Sequence, residues 1–226
     1  MSSEVMDWDS AYRGAGAFEG PPPWNIGEPQ PALAALIEHT QIADPVLDAG
    51  CGHAELGLSL AARGHTVVGI DLAPTAIAAA TAAAAERGLQ TTTFMCADIT
   101  GFTGYDGFFS TIIDCTLFHS LPVDRRDAYL ASIHRAAAPG ARFYALVFDK
   151  GAFPAQFEGK PNDVTAEELR QAVASYFTVD EIRPAAIHAY APQIPGAPPE
   201  AAPALQRDAK GRVMFPAHLL TAHKAT

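Results

Sequence analysis

Short, unbroken apolar runs alternate with stretches in which apolar residues recur at helical spacing. Residues 46–49, 66–71, 91–96, 108–115 and 142–148 read as strands, and Ile112 and Ile113 give the continuous apolar pair of a parallel sheet covered on both faces. Between them the pattern predicts helices. One starts near Pro29, with Leu33, Leu36 and Ile37 on a stripe, and a second covers 54–63. A third enters at Pro74 and leaves at Gly88, and a fourth covers 124–137 and is closed by Pro139 and Gly140. Thr165 and Glu168 have capping-box spacing, which specifies a helix to about residue 175, and 178–189 reads as a sixth strand. The Pro- and Ala-rich segment 191–211 stands where a further helix would belong, so the last strand, 212–222, is expected to pair antiparallel. The pattern is that of an α/β chain with a seven-stranded mixed sheet and helices on both faces.

At 226 residues, 49% hydrophobic, the chain suffices for one sizeable core with appendages. We divide it into an aromatic N-terminal segment with a flanking helix (1–44) and a main domain (45–226). Residues 1–28 read as loop, with Trp8, Tyr12, Phe18 and Trp24 around three prolines. A net charge of −10 argues against a nucleic-acid partner. Without a signal-like start or a long apolar run, a cytoplasmic protein off the membrane is expected. Cys51, Cys96 and Cys115 lack ligand spacing and are read as reduced, largely buried thiols, and the histidines show no metal-binding pair, so no metal is expected.

The chemistry concentrates where strands end. Val46 to Gly52 spells VLDAGCG, a buried strand running into a glycine turn that opens a helix. Gly50 and Gly52 permit close backbone approach, and Asp48 beside them suits a ligand with an ammonium group better than a pyrophosphate. Asp71, ending strand 2, is placed to accept ribose hydroxyls. Asp98 follows strand 3, where it faces an adenine amino group with Ile99 against the ring, and Asp114 ends strand 4 toward the same crevice. Leu72 is counted with this adenosine-binding set. His119 lies on the next loop as a candidate general base. Loops 49–54, 71–74, 96–107 and 114–124 converge there, and loops 149–164 and 190–211 are expected to form an outer wall. Phe102, Tyr105, Phe118, Phe153, Phe157 and Phe215 are candidate pocket walls.

Residues 46–52 together with 64–71 resemble the first two motifs of class I S-adenosylmethionine-dependent methyltransferases, and the likeness runs through nearly the whole chain, including the closing antiparallel strand. It implies the Rossmann-like fold of that class, S-adenosylmethionine as cofactor with S-adenosylhomocysteine as product, and a small-molecule acceptor. The segments around Trp8 to Tyr12 and Pro23 to Pro31 are similar to the thiopurine and thiol methyltransferase-like enzymes and to bacterial methyltransferases of heterocyclic toxins. In that group the N-terminal segment folds over the cofactor, which implies that Trp8, Tyr12 and Trp24 cover or contact it. Cys115 stands where thiopurine enzymes carry an arginine, and Ala54 where many relatives have a third glycine. The expected reaction is methyl transfer to O, N or S of a small aromatic or heterocyclic molecule by a monomer or homodimer. A non-catalytic cofactor-binding relative and an NAD(P)-dependent oxidoreductase are the alternatives; the latter lacks its full glycine pattern here, since position 55 is Glu.

Overall fold

The structure, a computed structural model, describes residues 7–14, 21–153, 161–191 and 206–226. One sheet holds β1 (Val46–Ala49), β2 (Val67–Asp71), β3 (Thr92–Cys96), β4 (Phe109–Cys115), β5 (Ala137–Phe148), β6 (Thr178–Ala189) and β7 (Val213–His223), in the spatial order β3-β2-β1-β4-β5-β7-β6. β1 to β5 are parallel, and β7 is antiparallel to both β5 and β6. The helices are α1 (Trp8–Tyr12), α2 (Pro31–His39), α3 (Glu55–Ala62), α4 (Pro74–Glu86), α5 (Arg126–Ala136) and α6 (Ala166–Ala174), with tight 3-10 turns at Phe118–Ser120 and Val123–Arg125.

Each face of the sheet has its own core. Leu47, Ile112 and Phe143 pack with Tyr129, Leu130 and Ile133 of α5 and Leu169 and Val173 of α6. Val46, Val67, Ile113 and Leu146 pack with Leu33 and Ile37 of α2 and Leu56 and Leu60 of α3. Successive side chains of a strand point to opposite faces, so the apolar pairs Val46–Leu47 and Ile112–Ile113 serve both cores. Thr165 accepts from the Glu168 N–H while the Glu168 carboxylate accepts from the Thr165 N–H, completing the capping box.

Three expectations are corrected. Residues 8–12 are helical rather than loop, because the Asp7 carboxylate accepts from the Ser10 N–H (3.0 Å) and caps the turn, and Asp9 accepts from the Thr75 N–H (2.9 Å), fastening α1 to α4. β5 begins at Ala137, so Pro139 and Gly140 lie inside the strand; the pairing with β4 shifts register between Phe109 and Thr111, which accommodates them as an irregularity. Cys96 is exposed, since β3 is an edge strand, while Cys51 and Cys115 are partly covered. Among the described residues no helix is long and apolar enough to cross a membrane, and no cluster of His, Cys, Asp or Glu is arranged to hold a metal ion.

Candidate active site

The turn after β1 is shaped by close approach on two sides. Gly50 (φ +67°) and Gly52 (φ +52°) are left-handed, and a Cβ on Gly50 would lie 2.9 Å from Leu117, while one on Gly52 would lie 2.5 Å from the Tyr12 hydroxyl. Ala54, in the third-glycine position, is itself left-handed (φ +58°), a conformation that costs an L-residue about 1–2 kcal/mol. Thr116, at the end of β4, is also left-handed (φ +74°) and lines the same cleft. Strain at such places is characteristic of functional loops.

The strand-end acids divide into distinct environments. Asp48 is buried; its Oδ2 accepts from the Gly57 N–H (3.0 Å), whereas Oδ1 has no partner. Burial pushes its carboxyl up to about 7. Asp71 accepts from the Gly52 N–H through one oxygen and from the Ala73 N–H through the other, each at 2.9 Å, so it pins the glycine turn to the start of α4. Burial also raises its pKa, and each oxygen keeps a further lone pair for a hydroxyl.

Asp114 departs from its expected role as a cofactor contact. It is fully buried and accepts from the N–H groups of Leu117 (2.8 Å) and Phe118 (3.1 Å) and from the Tyr129 hydroxyl (2.8 Å). It therefore staples the loop after β4 to α5, and burial raises its carboxyl to about 6. Asp98 is exposed and accepts from the Thr100 N–H (2.9 Å) and from Arg125 (2.9 Å), which makes it a turn former as well as a rim acid. Ile99 is buried in the α5-side core, while Leu72, beside Asp71, is 55% exposed and leaves an apolar face at the rim.

Aromatic rings stand over the glycine turn. Trp24 meets Trp8 edge-on at 5.9 Å and Tyr12 at 6.5 Å, and Tyr12 meets His53 at 5.0 Å. Burial raises the Tyr12 phenol well above its ordinary range. Beneath the rings lies a narrow cleft lined by Tyr12, Trp24, Asp48, Gly50, Gly52 and Thr116, joined by Asn25, Glu28, Gln30 and His53. Asn25 bonds His53 at 2.6 Å. Gln30 is buried and clasps β6, donating to the His188 carbonyl (2.9 Å) and accepting from the His188 N–H (2.8 Å). Glu28 accepts from Lys210 (2.6 Å) and Arg212, and Arg212 also donates to Asp208 (2.6 Å). The segment Pro23 to Pro31 stands out in the sequence only by its resemblance, which gives Asn25, Glu28 and Gln30 no roles, and nothing in the sequence points to His53 or Thr116.

His119 is buried, and its Nδ1 accepts from the Phe148 N–H at 3.1 Å. Desolvation, with a smaller repulsion from Arg126, pushes its pKa down to about 3. The nitrogen that accepts is thus already engaged, and the ring does not fit the expected role of general base. Its ring centroid lies 4.3 Å from that of Phe148, which meets Phe153 (4.8 Å) and Phe215 (5.7 Å) edge-on within the core on the α2 and α3 side. Phe102 and Phe118 belong instead to the α5-side core, with Tyr105 packed against it, which corrects their assignment as pocket walls. Phe157 and Phe18 lie outside the described residues, as does most of loop 190–211.

A model of a family described as a methyltransferase domain matches residues 46–140. The 2-heptyl-1-hydroxyquinolin-4(1H)-one methyltransferase of Mycobacteroides abscessus is 48% identical over 227 residues, spanning 99% of this chain and 100% of that protein. A probable thiol methyltransferase of Arabidopsis thaliana is 25% identical over 74% of this chain and 70% of its own. Among solved structures, one concerned with conversion of a disulfide bond into a thioacetal group during echinomycin biosynthesis superposes with a TM-score of 0.82 at 33% identity, over 98% of this chain and 92% of that one. The fold is also shared with the Burkholderia thailandensis 1,6-didemethyltoxoflavin-N1-methyltransferase bound to 1,6-didemethyltoxoflavin and S-adenosylhomocysteine (TM-score 0.60, 23% identity, 87% and 77% covered).

Proposed function

We propose, since the chain belongs to the class I S-adenosylmethionine-dependent methyltransferases, that it methylates an oxygen of a small hydroxylated heteroaromatic molecule of the hydroxyquinolinone kind. The end-to-end similarity to a hydroxyquinolinone methyltransferase supports the acceptor class. The observation that carries the cofactor is the unpartnered Asp48 Oδ1 at the cleft. A buried carboxylate oxygen without a donor is costly, and an ammonium group satisfies it. The residues present fit S-adenosylmethionine: Asp48 and the glycine turn for its amino-acid end, Asp71 for the ribose hydroxyls, Leu72, Asp98 and Ile99 for adenine, and Trp8, Tyr12 and Trp24 as the cover. When bound, that cofactor supplies an electrophilic methyl group on a sulfonium.

The protein's contribution is alignment and exclusion of water. Tyr12 and Trp24 close the cleft from above, and Gln30 with the Glu28–Arg212 pair holds the covering segment to β6 and β7. Residues 1–44 act as the cap on the domain formed by 45–226. Calorimetric titration with S-adenosylhomocysteine and with NAD, followed by incubation with S-adenosylmethionine and a panel of hydroxyquinolinones, phenols, thiols and N-heterocycles, tests the reading. Binding of the thioether and a gain of one methyl mass on the hydroxyquinolinones are expected. Heat with NAD alone overturns the cofactor, and methylation confined to thiols overturns the acceptor class.

A further inference from the structure

The loop after β4 holds a buried imidazole whose two nitrogens are unequally used. A backbone N–H only donates, so the bond from Phe148 obliges His119 Nδ1 to accept and leaves the proton of the neutral ring on Nε2. Among the described residues Nε2 has no hydrogen-bond partner and is not one of the atoms sealed from solvent without one, so the buried ring (2% exposed) keeps an open side at this nitrogen. An N–H with an open side and no internal acceptor is available to donate to a ligand. The ring sits where β4 and β5 end: Leu117, two residues before it, presses on Gly50 of the cofactor turn, and Phe148, against which it packs, closes β5 and meets Phe153 and Phe215 edge-on in the core.

We propose that His119 is a hydrogen-bond donor to the methyl acceptor, its Nε2–H directed at a carbonyl or anionic oxygen of a heteroaromatic ring whose hydroxyl is already ionised when it binds. The inference rests on the methyltransferase reading above and narrows its substrate class. An acidic hydroxyl conjugated to a carbonyl loses its proton to solvent before entry. The oxyanion lone pair then forms the new O–C bond as the C–S bond breaks with its pair on sulfur, and His119 keeps its proton throughout. A single fixed donor favours delocalised oxyanions, which offer an oxygen to accept from it, over aliphatic thiols, which do not.

The test pairs His119→Asn, whose amide oxygen still accepts from Phe148 but whose side chain is too short to reach the Nε2 position, with His119→Gln, whose amide nitrogen reaches it. In the Asn variant KM for a hydroxyquinolinone is expected to rise roughly tenfold or more, as for loss of one hydrogen bond to a charged group. The Gln variant is expected within a few-fold of wild type, and S-adenosylhomocysteine affinity should be unchanged in both. With wild type, the acidic limb of kcat/KM should track the acidity of each acceptor used. Ring-nitrogen NMR of wild-type protein should show the His119 proton on Nε2 near neutral pH, a reading independent of turnover and of whether the variants fold. A proton on Nδ1, an unchanged KM in the Asn variant, or an acidic limb common to all acceptors and abolished by that variant overturns the proposal. If wild type methylates none of the acceptors, the functional reading fails instead, and the NMR spectrum with acceptor binding to the S-adenosylhomocysteine complex still decides the donor role.

Discussion

Cofactor affinity is expected to depend on pH through Asp48. Burial raises this carboxyl from 3.8 to about 7, and its Oδ1 is unpartnered. Below about pH 7 the free protein therefore holds a proton that the ligand's ammonium must expel, because a neighbouring cation favours the ionised form. Affinity for S-adenosylhomocysteine should rise about tenfold per pH unit up to about pH 7 and level off above it. Asp71, also raised by burial, accepts from Gly52 of the same turn, whereas Asp114 is turned toward α5 and satisfied by its own donors. Asp48→Asn removes the Asp48 part. The same shift has a converse in stability: the folded pKa exceeds the unfolded one, so the ligand-free protein binds the extra proton between 3.8 and about 7 and loses stability as pH rises through that window. At 1.36 kcal/mol per unit the loss is at most about 4 kcal/mol, so Asp48→Asn should raise the ligand-free melting temperature near pH 8 while weakening binding. Calorimetry from about pH 5.5 to about pH 8 in buffers of different ionisation enthalpy measures both affinity and proton release. A flat profile, or an equal slope in Asp48→Asn, refutes the reasoning.

Three other outcomes follow from particular contacts. Tyr129→Phe removes the hydroxyl donor to a fully buried carboxylate and should cost about 1.5–3 kcal/mol in urea unfolding; an unchanged midpoint would mean Asp114 is protonated or rearranges. Gly52→Ala places a Cβ where the Tyr12 hydroxyl now lies, so the cap must lift, and cofactor affinity should fall at least tenfold by calorimetry, about 1.4 kcal/mol. Thr165→Ala removes the capping-box hydroxyl of α6 and should cost about 1 kcal/mol by thermal unfolding, with S-adenosylhomocysteine affinity unchanged.

Much of this architecture is legible from spacing alone. The capping box at Thr165, the proline-to-glycine helix from Pro74 and the strand 178–189 correspond to elements of the structure because their signals are local. The irregular start of β5 was not legible, because Pro139 and Gly140 read as a turn when their pairing with the chain end is invisible; the Gly140 N–H donates to the Lys224 carbonyl. The site shows the same division. Asp48 and Asp114 look alike in sequence, each an acid at the end of a buried strand. The first keeps an idle oxygen because Gly57 supplies only one donor, while the second is consumed because its loop folds back and offers N–H groups and a tyrosine. His119 misled for a related reason: residue type announces that a ring titrates, but a backbone N–H from a strand 29 residues further along decides which nitrogen is available.

β7, the final strand of the sheet in chain order, lies between β5 and β6. β6 therefore has no neighbour within the sheet until β7 slides in beside it, and β5 presents a bare edge meanwhile. During synthesis the earlier strands emerge first, so the clasp of Gln30 on β6, and with it the roof of the cleft, is a late event of maturation. A chain interrupted within β7 would forfeit two strands rather than one, and its unfinished edge would be a natural substrate for chaperones or for self-association.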